Sequence, residues 1–543
     1  MSRPEDANGH ITNHEIEAGQ RDGLLLQEKT NASPANASYL RHALTGFVEV
    51  LKPEILQRRR GPARRPGPTA FLDGLRGWAA FCVALMHLFV YTHDWVELCY
   101  NAPLLDGSTN SSPLTLPFIR LPFTGGHFSV MLFFVISGYV VPRRLLMLLH
   151  EERRTDFIDA LQSAVIRRPV RLFIPVILST GMFWSLFWHI LGIATPWPVH
   201  QPTFFGEFYV WFHDLLNFVN PWRMDKLLFT YYNIHSWTIP VEYRGSMFII
   251  VWLLCTSSMT IKGRLMATAG LMWYLVFGAP AAMYATFFAG MVTAELDLLS
   301  SGNFSASNDG EKLPHSSSSV LGSGISSRVV EALTPGKKRK ALVLHLMLAA
   351  CLWLASIPAS DGMGKVEVLS VCPGWMPLGN IVPHNYNDGT PQTYRWFWLF
   401  WAAWGTLIAV KELPWLRSIF ETPPMQYLGR HSFALYLIHG PMIGLLSERL
   451  FILTGVKAPE GESGEEKFGH LTDRWINSPL WPFGGKEGWP KGLEPNFWFC
   501  VLISLPVFLY VAEVGTRTFD TPSVKIARWV DGKMRGGGSS SRG

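Results

Sequence analysis

The chain has 543 residues, of which 48% are hydrophobic, 13% aromatic and only 16% charged, with a mean hydropathy of +0.16. That balance excludes an ordinary soluble protein of this length and reads as a polytopic membrane protein, with 22 Trp and 35 Phe to face lipid and interface. The net charge of +6 sits in short basic runs with no nucleic-acid motif beside them, so they read as orientation signals beside anionic lipid and no nucleic-acid partner is expected.

Residues 1–69 read as a disordered, basic cytosolic tail: the first 40 are polar, lack the apolar core of a signal peptide, and lead to Arg58, Arg59, Arg60, Arg64 and Arg65. Apolar windows then predict membrane helices over 71–92, 128–148, 170–193, 238–257, 264–278, 280–297, 341–357, 394–411, 431–453 and 496–514. Residues 204–219 are aromatic and amphipathic but carry Glu207, His213 and Asp214, which places them on the interface. The Ser- and Gly-rich stretch 300–340 predicts a flexible cytosolic loop, and 521–543 a cytosolic tail.

Charge tests this count. Arg143, Arg144, Arg153, Arg154, Arg167 and Arg168 follow the second window; Lys262 and Arg264, Lys337 to Lys340, Lys411 and Arg417, and Arg517, Lys525 and Arg528 fall in successive alternate connections. The expected fold is therefore an all-α bundle of about ten transmembrane helices with both termini cytosolic. The sequon at Asn110 falls in an exterior loop and could carry a glycan, whereas those at Asn31, Asn36 and Asn303 face the cytosol. The six cysteines show no metal spacing, and no metal site is expected; for Cys99 and Cys372, in two exterior loops, a bridge and two free thiols are both open.

The first window, FLDGLRGWAAFCVALMHLFVY, carries Asp73, Arg76 and His87, and charge is costly in a bilayer. Eleven residues at ~100° and ~1.5 Å each put Arg76 and His87 within about 20° of one face and about 16 Å apart along the axis. A cation near one surface and a titratable imidazole deeper in suit an anionic substrate threaded inward. A pair of inter-helix hydrogen bonds is the alternative.

Five ordered blocks carry a family resemblance: FLDGLRGWAAFCVALMH (71–87), GGHFSVMLFFVISGYVV (125–141), RRPVRLFIP (167–175), SWTIPVEYRGS (236–246) and LGRHSFALYLIHGP (428–441). Together they resemble the acyltransferase 3 family of integral-membrane acyltransferases, over residues 70–520. The resemblance implies transfer of an acyl group, commonly acetyl, from a donor to a hydroxyl. The expected donor is acyl-CoA, used as a substrate with no permanently bound cofactor. The expected acceptor is a hydroxyl of a glycan or of a small lipophilic metabolite, in an endomembrane or the plasma membrane.

Acyl transfer asks for a base, because an alcohol is a poor nucleophile at neutral pH, and imidazole suits that work. His87 is the expected general base, with Glu242 and His439 as further catalytic candidates; Glu242 either orients an imidazole, holds Arg76, or forms a structural ion pair. Arg76, Arg167, Arg168 and Arg171 are the expected phosphate ligands for coenzyme A, although setting topology explains the 167–168 pair as well. Asp73 is expected to pair with Arg76 or cap the helix, and Ser137 and Gly138 either serve the oxyanion or permit close packing. His127 and His235, at the mouths of their helices, read as solvated. A secondary transporter or lipid flippase is the competing class, since buried charge also marks ion pathways.

Overall fold

The computed structural model describes residues 45–46, 49–56, 67–104, 107–193, 198–220, 223, 228–300, 335–359, 367–372, 374–386, 393–457 and 488–535. The expected disorder of residues 1–40, most of the loop 300–340 and the sequons at Asn31, Asn36 and Asn303 lie outside them. Residues 1–62 and 63–543 form two units; the described part of the first closes on a turn at Glu54–Leu56, and the second is a helical bundle.

In chain order the long helices are α1 (Ala70–Val90), α2 (Gly126–His150), α3 (Arg154–Met182), α4 (Phe204–Phe218), α5 (Thr238–Cys255), α6 (Ile261–Trp273), α7 (Ala282–Ser300), α8 (Pro335–Ala355), α9 (Tyr394–Glu412), α10 (Pro423–Met442), α11 (Pro495–Gly515) and α12 (Thr521–Met534). Each expected window holds a helix, and no strand is present among the described residues. Among the described residues, six helical stretches are long and apolar enough to cross a membrane: Ala70–Val90, Gly126–His150, Arg154–Ile190, Ile234–Cys255, Ala282–Ser300 and Pro495–Met534. Helices α6, α8, α9 and α10 occupy the other four windows without meeting that measure.

Two boundaries differ from expectation. Helix α3 starts at Arg154, well before the apolar window, and α12 replaces most of the expected tail. The causes are the same: each extension is polar outside and buries a narrow face, Phe157, Leu161 and Ser163 on one and Ser523 and Ala527 on the other. Ser163 donates to Asp531 at 2.5 Å, and Arg535 pairs with Asp159 at 2.8 Å. An apolar window cannot register such a face, although a helical period can.

In a bilayer lipid tails are as apolar as leucine, so helices associate through close packing, and small residues decide where they cross. Helices α1 and α10 run parallel and meet at Gly77 and Gly429: a Cβ at Gly77 would overlap the backbone of Leu428 and Gly429, and one at Gly429 the carbonyl of Asp73. Ala80, Ala84 and Leu88 of α1 pack there with Leu435 and Ile438 of α10 and Phe497 and Val501 of α11. Helices α2 and α7 are also parallel, with Gly138 against the Phe287 carbonyl and Gly290 against that of Val135. Gly138 thus serves close packing. Beside this crossing Asp297 of α7 accepts from Tyr139 (2.6 Å), Arg143 (2.9 Å) and Lys411 (3.0 Å), tying α2, α7 and α9 together.

At the far end of α1 the chain is tied by a Cys99–Cys372 disulfide. Asn110 requires a correction. Its side chain is fully buried and donates to the carbonyls of Trp95 and Cys99, both at 3.2 Å, which leaves no room for a glycan in this fold. Helix α4 is amphipathic as expected, burying Glu207, Trp211, Leu215 and Phe218 and exposing Phe205, Tyr209 and Phe212. Burial opposes ionisation of Glu207, but hydrogen bonds from His200 (2.9 Å), the Gln201 amide and Tyr232 (2.8 Å) outweigh it and hold the carboxyl below the usual range.

The crossing predicts a contrast between glycines. Gly77→Leu should abolish the folded species in detergent, measured by size exclusion and thermal unfolding. Gly270→Ala, on α6 with nothing within 4 Å of an added Cβ, should be neutral or stabilising by about 0.5–1 kcal/mol.

Candidate active site

Three imidazoles meet where α1 and α10 converge with the turn Ile234–Trp237 that leads into α5. Ring centroids are 4.1 Å apart for His87 and His235, 5.0 Å for His87 and His439, and 4.8 Å for His235 and His439. His87 Nδ1 lies 2.8 Å from the Val83 carbonyl one turn back, and His439 Nδ1 lies 2.6 Å from that of Tyr436. Each carbonyl can only accept, so both protons are assigned to Nδ1 and Nε2 becomes the basic atom. His439 Nε2 is buried with no hydrogen-bond partner among the described residues.

His235 is the residue that sequence reasoning placed elsewhere. It was expected at a solvated mouth, yet it packs edge to face on His87. Two features bring it in. Asn233 Nδ2 donates to the Leu437 carbonyl at 2.8 Å, and Gly440 leaves a gap in α10, since a Cβ there would overlap His235 Nδ1. The one signal in the sequence was its place immediately before the block SWTIPVEYRGS. His127, also expected to be solvated, is largely buried, 3.6 Å from Glu97 and 3.3 Å from Arg395.

One nitrogen from each of His87, His235 and His439 lies within 4.8 Å of the others, so the same residues could offer three ligands to a metal ion, where the sequence predicted none. A zinc ion with bonds of about 2.0–2.1 Å holds its nitrogens roughly 3.3 Å apart. Nitrogens within 4.8 Å of one another accommodate that spacing, so the cluster fits a metal ion as well as a base for proton transfer.

A cavity of about 190 Å³ lies toward the start of α1, lined by Arg76, Arg168, Arg171, Glu242 and Asp520 at its polar end, with Phe133, Leu172, Ile239 and Tyr436 among its apolar walls. Arg76 donates through Nε to Ser432 (3.0 Å) and pairs with Asp73 at 3.3 Å, the expected i, i+3 contact. Arg168 is spent on protein partners: Glu242 at 2.7 Å, Ser137 at 2.6 Å and Ser246 at 3.0 Å. Arg171 lines the cavity, faces the charge of Asp520, and makes no hydrogen bond or ion pair among the described residues.

The expected phosphate ligands therefore separate. Arg76, Arg168 and Arg171 share the cavity; Arg167 does not, and pairs with Asp531 at 3.6 Å. Neighbouring residues on a helix point about 100° apart, so Arg167 and Arg168 cannot both face one cavity. Glu242 pairs with Arg168, away from the imidazoles, and Arg244 turns instead to the Arg223 carbonyl at 2.8 Å. Ser137 belongs to the same ionic group.

Among the described residues, a helical membrane protein thus carries an arginine-lined cavity with a cluster of three imidazoles beyond its Tyr436 wall. The family model described as an acyltransferase domain matches residues 69–511, and the chain belongs to the acyltransferase 3 family. It is an acyltransferase, which sets aside the transporter and flippase reading. Similar proteins include the O-acetyltransferase PaAT-1 of Phomopsis amygdali, 28% identical over 455 residues covering 79% of this chain and 81% of the relative. The acyltransferase clz18 of Cochliobolus lunatus is 24% identical over 68% of this chain and 82% of its own length, and the acyltransferase R4 of a Phoma species 25% identical over 69% and 83%. No solved structure matches.

The gap at Gly440 makes a prediction. Gly440→Ala should push His235 out of the cluster and lower acyl-transfer turnover by about 10²-fold, as a misplacement of ~1 Å does, while the fold, measured by size exclusion and thermal unfolding, is retained.

Proposed function

We propose that the protein is a membrane O-acyltransferase that moves an acyl group, in the first instance acetyl, from acyl-CoA to a hydroxyl of a glycan or a small lipophilic metabolite. The observation that carries this reading is the pairing of a cationic cavity with the imidazole cluster along the same two helices, α1 and α10, about 16 Å apart by helix geometry. Coenzyme A has phosphates at one end and a thioester at the end of a long, largely apolar arm. Arg76 and Arg171 take phosphate at the polar end, the arm runs along Phe133 and Ile239, and the thioester reaches His87.

The chemistry then follows. Nε2 of His87 takes the hydroxyl proton as the acceptor oxygen bonds to the thioester carbon; the tetrahedral intermediate collapses by breaking the carbon–sulfur bond, and the imidazolium returns its proton to the thiolate. His439 and His235 hold the ring of His87 in place.

The orientation follows from charge and redox chemistry. With both termini cytosolic, the arginine end opens toward cytosolic acyl-CoA and the Cys99–Cys372 end faces an oxidising compartment, in an endomembrane or the plasma membrane. Ten crossings agree with the parallel packing of α1 on α10 and α2 on α7, first with ninth window and second with sixth.

Comparative mass spectrometry of metabolites and glycans from a deletion strain tests the function: products lacking one fixed acyl mass support it, and an unchanged profile counts against it. In purified protein, Arg171→Ala should raise the donor KM about tenfold at unchanged kcat, since a phosphate contact is present before and during chemistry, whereas Arg167→Ala should leave both near wild type. His87→Gln keeps a hydrogen-bonding group but cannot accept the proton, so kcat should fall ~10²–10⁴-fold with coenzyme A binding retained. Wild-type turnover in that variant would make His87 structural.

A further inference from the structure

Tyr436 joins the two halves of the site. Its ring lines the arginine cavity, 6.0 Å from the ring of Phe133, and lies 5.6 Å from the ring of His439 on the other side. Its backbone carbonyl accepts the Nδ1 proton of His439 at 2.6 Å, and its hydroxyl donates to the carbonyl of His235. That hydroxyl has one proton, so the 2.6 Å contact with Thr238 Oγ1 must run from Thr238 to Tyr436. The proton order Thr238 to Tyr436 to His235 is thereby set, in a side chain that is 6% exposed.

We propose that Tyr436 is a positioning residue for acyl transfer, holding His235 through its hydroxyl and His439 through its backbone so that both frame His87. The inference rests on the reading of the site as an acyl-CoA acyltransferase. Tyr436 itself touches no proton in flight. Its hydroxyl is consumed by two partners, which excludes it as an oxyanion donor and leaves geometry as its contribution. The phosphate end of the cavity is built from other residues, Arg76 and Arg171 among them, so removing the hydroxyl should disturb turnover and spare donor affinity.

A double-variant cycle in purified protein tests this, reading thiol release from acetyl-CoA with water or 1-octanol as the acceptor. Tyr436→Phe keeps the ring and should lower kcat by about 10–100-fold with the KM for acetyl-CoA within twofold of wild type. Thr238→Val breaks the same chain one link earlier and should lower kcat several-fold. The double variant should be no slower than Tyr436→Phe alone, because both remove one chain. If Tyr436→Phe fails to fold, the Thr238→Val loss in kcat at constant KM carries the test. Wild-type kcat in either single variant, losses that multiply in the double variant, or a loss confined to KM would overturn the role of Tyr436 while leaving the acyltransferase reading in place. A wild-type protein that releases no thiol from acetyl-CoA sinks both.

Discussion

The approach of α1 to α10 through Gly77 and Gly429 is the contact on which the site depends. Because apolar side chains gain little by leaving lipid for protein, the bundle cannot rely on burial to choose a register. Backbone contact chooses it. Once the two helices lie parallel at that distance, Arg76 reaches Ser432 at one level and His87 reaches His439 at a level three turns further on. A bulkier residue at the crossing would separate both pairs at once. The third imidazole enters from a different element but obeys the same rule, through the gap at Gly440.

Charge is handled by separation. Cations facing one cavity inside a membrane protein would repel one another and resist burial, and the chain answers with a carboxylate for each: Asp73 beside Arg76, Glu242 beside Arg168, Asp520 facing Arg171. The pairs are not equivalent. Glu242 and Ser137 occupy Arg168 from two sides, while Arg171 keeps its guanidinium toward the cavity. On the proposed reading, an arriving phosphate would meet a group whose hydrogen-bonding capacity is not already used among the described residues, while the Arg168–Glu242 pair beside it, with Ser137, links α2, α3 and α5.

Much of this was legible in sequence because hydropathy and helical period are local properties. All ten apolar windows hold helices, and Arg76, His87 and His439 are conspicuous as polar residues within them. Where local reading stopped, the reason is spatial. His235 is brought into the cluster by a missing side chain on another helix two hundred residues away, which no window can register. Arg167 and Arg168 look alike in sequence but diverge by about 100° on the helix, one toward the cavity and one toward Asp531. Asn110 satisfies a sequon by composition, yet its amide is used inside the fold. The outer turns of α3 and the whole of α12 escaped because their buried faces are narrow.

The most direct test of the account is an experimental structure of the protein with a non-hydrolysable acetyl-CoA analogue. The account predicts phosphate density against Arg76 and Arg171 and the analogue's acyl carbon within about 4 Å of the His87 ring, close enough for a hydroxyl bonded to Nε2 to attack it. Phosphates bound at the disulfide end, or an acyl carbon left in the cavity short of Tyr436, would contradict it.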